Sequence, residues 1–140
     1  MLRDAEPRPE AAAEVIDLRL GLIGDNIAQS KAQLLHETAG RLAGLKVRYD
    51  RLVPREQALG FDALFARCAA GGYRGLNITY PYKEDAARRV AIDDPLVRAM
   101  GAVNTVTFDP QGARGFNTDY SGFIAAYRQV LGARRAGRVW

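Results

Sequence analysis

The stretch LRLGLIGDNIAQSKAQLLHETAGRLAGLKVRYDRLV (Leu18–Val53) decides the fold. Leu18 to Ile23 is a short apolar run closed by Gly24, which reads as a strand. Ser30 to Ala43 then sets Leu34, Leu35, Thr38 or Ala39, and Leu42 on one helical face, with Gly44 placed to cap its end. Lys46 to Val53 alternates as a strand does. A strand, a helix and a second strand within 36 residues form a β-α-β unit, and that spacing implies parallel pairing.

Working outward, the rhythm continues. Gln57 to Ala70 carries Phe61, Leu64, Phe65 and Cys68 at helical spacing and stops at Gly71-Gly72, and Tyr73 to Ile78 is the third strand. Pro81 opens a short helix running to Val90, and Pro95 to Met100 forms another. Val103 to Phe108 is β-rich, a turn falls at Asp109-Pro110-Gln111-Gly112, and Gly115 to Asn117 returns as a hairpin strand. Asp119 to Leu131 is helical, with Phe123, Ala126, Tyr127 and Val130 on one side. The expected fold is α/β: one domain, with helices on both faces of a mixed, mostly parallel sheet.

With 140 residues the chain suits a single domain with a real core. Apolar residues make up 48% and no run reaches the roughly 18–20 residues of a membrane span, so no membrane association is expected. The charged N-terminus lacks a secretory apolar stretch, and the expected location is the cytoplasm. Residues 1–16 read as a loose tail. One cysteine, Cys68, excludes an internal disulfide and reads as a buried structural thiol; one histidine, His36, makes no zinc site by itself. The net charge of +4 resides in Arg128, Arg134, Arg135 and Arg138, leaving the first 127 residues balanced at 16 basic and 16 acidic. That placement gives no basic face, so no nucleic-acid partner is expected.

Four segments put polar groups at strand ends or helix starts, the rim where open α/β sheets bind ligands. Ser30-x-x-Gln33 reads as a capping box, which is compatible with a ligand carboxylate at the same helix start. In Asn77-Ile78-Thr79-Tyr80-Pro81-Tyr82-Lys83, Thr79 and Asn77 have turn and cap readings. Lys83 in a first turn opposes the helix dipole by roughly 0.3–1 kcal/mol, a field that favours the neutral amine a general base needs; a solvated surface lysine is the alternative reading. Asn104 in AVNTV is either buried and bonded to backbone or exposed to a ligand. Asp119 is by position a helix N-cap, and its functional reading depends on lying close to Lys83. No G-x-G-x-x-G or phosphate-binding G-x-x-x-x-G-K-[ST] occurs.

Taken in order, GLIGD (21–25), NITYPYK (77–83), GAVNT (101–105) and FNTD (116–119) resemble the N-terminal domain of the shikimate and quinate dehydrogenase family. The resemblance runs from about Leu18 to Leu131 and implies a sheet of about six strands that binds a cyclohexene carboxylate. It implies Lys83 and Asp119 as the catalytic pair at the reacting hydroxyl, with Ser30, Asn77, Thr79 and Asn104 as substrate contacts. It also implies a second, Rossmann-type lobe for NADP or NAD, in cis or in trans, which residues 133–140 would lead into. The catalytic domain is then 17–132, binding no cofactor by itself, and the chain alone is expected to transfer no hydride.

Two departures stand out. The family pattern near H-S-x-S-P has a second serine where this chain has Ala32. Losing one hydroxyl–carboxylate bond costs about 1.5–3 kcal/mol, with Lys31 the hypothesised compensation. Tyr80 and Tyr82 stand where smaller residues or histidine are common. Quinate or an aminoshikimate is therefore an alternative substrate. A small-acid-binding module without catalysis is the alternative function, disfavoured by retention of both Lys83 and Asp119. A receiver-like domain fails because Gly24-Asp25 supplies one acid where a pair is needed.

Overall fold

The computed structural model describes residues 15–132 and Gly137, so the expected tails at 1–16 and 133–140 lie almost wholly outside the described residues. β1 (Leu18–Ile23) is the hub of the sheet. It pairs in parallel with β2 (Val47–Leu52) on one side and β3 (Gly75–Ile78) on the other. β3 runs antiparallel to β4 (Thr105–Asp109), which forms a hairpin with β5 (Gly112–Phe116), giving the order β2-β1-β3-β4-β5.

The sheet is mixed, as expected, but among the described residues it has five strands where about six were implied, and its pairings divide evenly between parallel and antiparallel. A single residue takes the sixth place. Ala91 bridges to the outer edge of β5, receiving the N–H of Gly115 at 2.8 Å and donating to Ala113 at 2.9 Å, a contact too short to make a strand.

Side chains of adjacent strand residues face opposite ways, so the sheet has two cores. Ile23, Ile78 and Val106 look toward α2 (Phe61–Ala70), α3 (Lys83–Ala87) and α4 (Pro95–Met100). Leu22, Ile27, Tyr49 and Val53 pack on the other face, where α1 (Ala32–Leu42) begins. α1 ends as its sequence dictates: Gly44 takes φ +73°, and the amides of Gly44 and Leu45 return to Arg41 and Gly40.

Its apolar face is turned outward, however, with Leu34, Leu35 and Leu42 all exposed. Gly40 is the buried position, because a Cβ there would stand 2.3 Å from Val47 Cγ2. A small residue lets the helix lie close on β2, and close approach outweighs the leucine stripe in setting the helix's rotation. α2 likewise starts at Phe61, not at Gln57. Pro54–Gln57 makes a 3₁₀ turn, and Ala58 then adopts a left-handed conformation that interrupts any helix through it.

The pattern predicted over 81–90 narrows to Lys83–Ala87, with Pro81 in the preceding turn. Asp94 caps α4 by accepting from the amides of Leu96 and Val97. The last helix, α5 (Thr118–Leu131), buries none of its residues; Phe123, placed on its apolar side, is 66% exposed.

Where β5 crosses behind the 88–91 turn, Gly115 leaves no room: an added Cβ would meet Val90 Cγ2 at 2.4 Å and Val103 Cγ1 at 2.9 Å. Gly115→Ala is therefore expected to lower stability by about 1–3 kcal/mol through overpacking. Urea denaturation checks this, and an unchanged midpoint would show that the turn yields freely.

Candidate functional site

Lys83 is the first residue of α3 and Asp119 the second of α5, and the two helices start on the same side of the sheet rim. Lys83 Nζ donates to Asp119 Oδ2 at 2.6 Å across 36 residues of sequence. Their side chains are 35% and 66% exposed, so the pair stands open at the rim.

The backbone reason for this meeting lies in residues 103–104. Val103 donates its N–H to the carbonyl of Lys83 at 3.0 Å. Asn104 donates its N–H to Phe116 at 3.0 Å and accepts from Ile78 at 2.8 Å, tying β3 to the end of β5. Its side chain, 9% exposed, finishes the arrangement: Oδ1 accepts the backbone N–H of Thr118 and Nδ2 donates to Thr118 Oγ1, both at 2.9 Å. Of the two alternatives for Asn104, the geometry is that of a buried amide bonded to backbone. Its side chain anchors the start of α5.

The N-cap of α5 is Asn117, not Asp119. Asn117 Oδ1 accepts from the Tyr120 amide at 3.0 Å, while Nδ2 donates to the Ala102 carbonyl at 3.0 Å. A cap acceptor serves amides two or three residues ahead, and Asn117 occupies that offset. The Asp119 carboxylate is thereby left for the lysine. Bonding to the Lys83 ammonium is the largest influence on the Asp119 carboxyl and holds it below its ordinary value near 3.8; burial, the next largest, opposes it, and the ammonium's field and Asn104 add smaller lowering effects.

The other expected residues sit further along the rim. Thr79 joins the Lys83 turn through its carbonyl, which accepts the Tyr82 amide at 3.0 Å, and is tied to the end of β1 through its N–H, which donates to the Ile23 carbonyl. Asn77, next to last in β3, faces the α1 side, where its Oδ1 accepts the hydroxyl of buried Tyr49 at 2.7 Å. His36 stacks on the Tyr49 ring at 4.8 Å.

Ser30 lies in the β1–α1 loop with no hydrogen bond to the other five. Its Oγ accepts the Ala32 amide at 3.2 Å. The expected capping box does not close, because the Gln33 amide turns to Glu37 instead. A cavity of about 440 Å³ covers the β3–β4 face and includes Asn77 and Thr105 but neither Lys83 nor Asp119.

Sequence reasoning passed over Tyr49, Asn117 and Thr118. Asn117 and Thr118 were legible in FNTD through the cap offset, whereas Tyr49 carries no signal beyond strand alternation.

The turn after β1 is not shaped as a dinucleotide cradle. The glycine after β1, Gly24, has its Cα face filled: a Cβ would stand 2.3 Å from Thr79 Cγ2 and 2.9 Å from Ile27 Cγ2. That glycine serves strand packing, and no backbone surface is left there for a pyrophosphate.

An α/β sheet with a lysine–carboxylate pair and amides gathered at the rim where β1 and β3 end has the arrangement in which open-sheet proteins bind ligands. The chain belongs to the family described as the shikimate dehydrogenase substrate binding domain, whose model matches residues 22–106.

Among its relatives, the NADP⁺ shikimate dehydrogenase of Natronomonas pharaonis is 38% identical over 128 residues, 84% of this chain and 47% of the relative. Among solved structures, quinate dehydrogenase from Corynebacterium glutamicum in complex with NAD superposes with a TM-score of 0.74 at 32% identity, covering 83% of this chain and 43% of that one. Shikimate 5-dehydrogenase from Thermus thermophilus in complex with NADP(H) and shikimate gives 0.66 at 32% identity, covering 80% and 42%. The chain thus spans less than half the length of these relatives.

The lowered Asp119 carboxyl gives a pH test. A folded value below the unfolded one means that the pair's contribution is complete above the ordinary carboxylate value. It is lost as pH falls through the depressed folded value. Because the pair is exposed, that contribution to stability is small and falls with salt. Carbon-13 titration of the Asp119 carboxyl should give a midpoint below the ordinary value, moving up toward it in Lys83→Met. A midpoint indifferent to that substitution would refute the pairing.

Proposed function

We propose that residues 17–132 form the substrate-binding, catalytic lobe of a shikimate dehydrogenase-type oxidoreductase, interconverting shikimate and 3-dehydroshikimate. The observation that carries the proposal is the 2.6 Å contact between Lys83 and Asp119, within a chain of the shikimate dehydrogenase substrate-binding family. Binding alone does not require a proton-transfer pair.

In oxidation of shikimate, the hydroxyl at the reacting ring carbon loses its proton to the Lys83–Asp119 pair as the carbon becomes a ketone. In reduction the pair returns that proton to the oxygen. Oxidation requires Lys83 to enter as the neutral amine, which takes the hydroxyl proton and becomes the ammonium that Asp119 holds; reduction starts from that ammonium, which gives the proton back. Ser30 and Thr79 receive the ring carboxylate, while Asn77 and Asn104 meet or support the ring hydroxyls.

Hydride exchange belongs to a nicotinamide nucleotide, NADP by kinship with the curated relatives. The described residues are not built to hold it, so turnover requires a dinucleotide-binding lobe in cis or in trans. Residues 133–140 are proposed to lead into such a lobe, with 1–16 a tail outside the catalytic domain. Quinate is a second substrate reading, supported by Ala32 in place of the second serine and by the resemblance to a quinate dehydrogenase.

Supplying a separately produced dinucleotide-binding lobe, NADP and shikimate (or quinate) should give NADPH absorbance that the chain alone does not produce. Lys83→Ala is expected to reduce that rate by about 10²–10⁴-fold, the usual range for losing a positioned acid–base group. Turnover undiminished in both Lys83→Ala and Asp119→Ala would overturn the assignment. Shikimate binding unaffected by either change, with no turnover under any combination, would identify a non-catalytic binding module instead.

A further inference from the structure

The lobe has two ends, the Ser30 loop and the turn that bears Lys83, and Ser30 itself makes no bond to Lys83. Ser30 hangs from residues 24–31, a segment in which Asn26, Ala28 and Gln29 are exposed. Arg51 and Arg55 hold its outer side, donating to the carbonyls of Ala28 and Asp25 at 2.9 and 3.4 Å. On the Lys83 side, Gly24 lies against Thr79, and the Asp25 amide donates to the Tyr80 carbonyl at 3.2 Å.

One side-chain bond completes that seam among the described residues. The hydroxyl of Tyr82 donates to Asp25 Oδ1 at 2.7 Å, linking positions 57 residues apart. Tyr82 is the N-cap residue of α3 and directly precedes Lys83. Its ring is itself fixed, stacked on buried Phe61 with centroids 5.1 Å apart and planes 15° from parallel. A rigid ring with a hydroxyl aimed at a carboxylate acts as a strut. The hydroxyl is a dependable donor: burial, with the Asp25 carboxylate added, pushes it up to about 12, so it keeps its proton through the neutral range.

We propose that Tyr82 is a positioning residue: its bond to Asp25 latches the Ser30 loop onto the Lys83 turn and so sets the spacing between the carboxylate-binding and proton-transfer ends of the site. The latch rests on the reading of Ser30 and Lys83 as site residues given above. A ligand held at both ends needs those ends at one distance, and a loop free to drift would bind the carboxylate without aligning the hydroxyl.

The test uses Tyr82→Phe, which keeps the ring on Phe61 and removes only the hydroxyl, together with Asp25→Ala and Asp25→Asn in the full chain. Two readouts separate the latch from the functional reading. In the free protein, amide exchange at Asp25 and Ser30, whose N–H groups bond to Tyr80 and Ile27, should quicken about tenfold in Tyr82→Phe, in line with losing one hydrogen bond to a charged acceptor. Core amides such as Leu76 should not change. Unaltered exchange at both positions overturns the latch, whether or not the chain binds shikimate.

With shikimate as the titrant, Tyr82→Phe and Asp25→Ala should each weaken binding by about tenfold, and Asp25→Asn, which keeps an acceptor oxygen, should recover most of that loss. Adding Tyr82→Phe to Ser30→Ala should bring little further loss, because the latch acts through Ser30. Losses that simply multiply would show that Tyr82 acts elsewhere and would overturn the proposal, and full affinity in Tyr82→Phe would do the same. Should the unsubstituted chain bind neither shikimate nor quinate, the functional reading fails while the exchange result still decides the latch.

Discussion

Asn104 is the constraint on which the rest of the site depends. Its backbone bonds β3 through Ile78 and the end of β5 through Phe116, so a single residue spans two neighbours of β4. Its side-chain amide, almost wholly enclosed, takes both the backbone amide and the hydroxyl of Thr118. A buried amide left unbonded costs about 1–3 kcal/mol, so the sheet and the start of α5 are held in one arrangement. Lys83 is tied to the same node through the Val103 amide. Remote residues meet because their backbones converge on two adjacent positions, 103 and 104.

That construction explains why an exposed ion pair has a defined geometry. Surface pairs are commonly worth little, since two long side chains must be ordered in water. Here the backbone atoms at both ends are already fixed by enclosed hydrogen bonds, so less freedom remains to be lost. The lowered carboxyl of Asp119 follows from proximity to the ammonium and from Asn104, with burial working against it. For proton exchange with a ligand, an open pair is also an accessible one.

The two faces of the sheet divide the work. Toward α2, α3 and α4 lies the larger apolar core, containing Leu64, Ile23, Val103 and Val106 with almost no exposure. Toward α1 the packing is thinner and mixed with polar groups: Tyr49 on Asn77, His36 on Tyr49, and Glu37 on the Tyr49 amide. Rigidity on one side lets the other carry amides and hydroxyls at the rim. The outward turn of Leu34, Leu35 and Leu42, like the exposed side of α5, shows that apolar periodicity fixes helix type without fixing which way the helix faces.

The sequence by itself determined the order of strands and helices, because period-two and period-3.6 patterns and glycine stops are local properties of the chain. It also determined the chemical types at the rim, since Lys83, Asn104 and Asp119 stand at strand ends and helix starts where structure alone asks for less. It marked Asp119 as a cap and Ser30-x-x-Gln33 as a capping box, and both were displaced by nearby competitors: Asn117, two residues earlier, at the helix start, and Glu37, four residues on, for the Gln33 amide. Only the tertiary structure decided which helix face is buried, that Ala91 substitutes for a sixth strand, and that Tyr82 reaches Asp25. Those outcomes depend on distances between segments far apart in sequence. Such distances are set by packing volume and by hydrogen-bond competition, which no local pattern records.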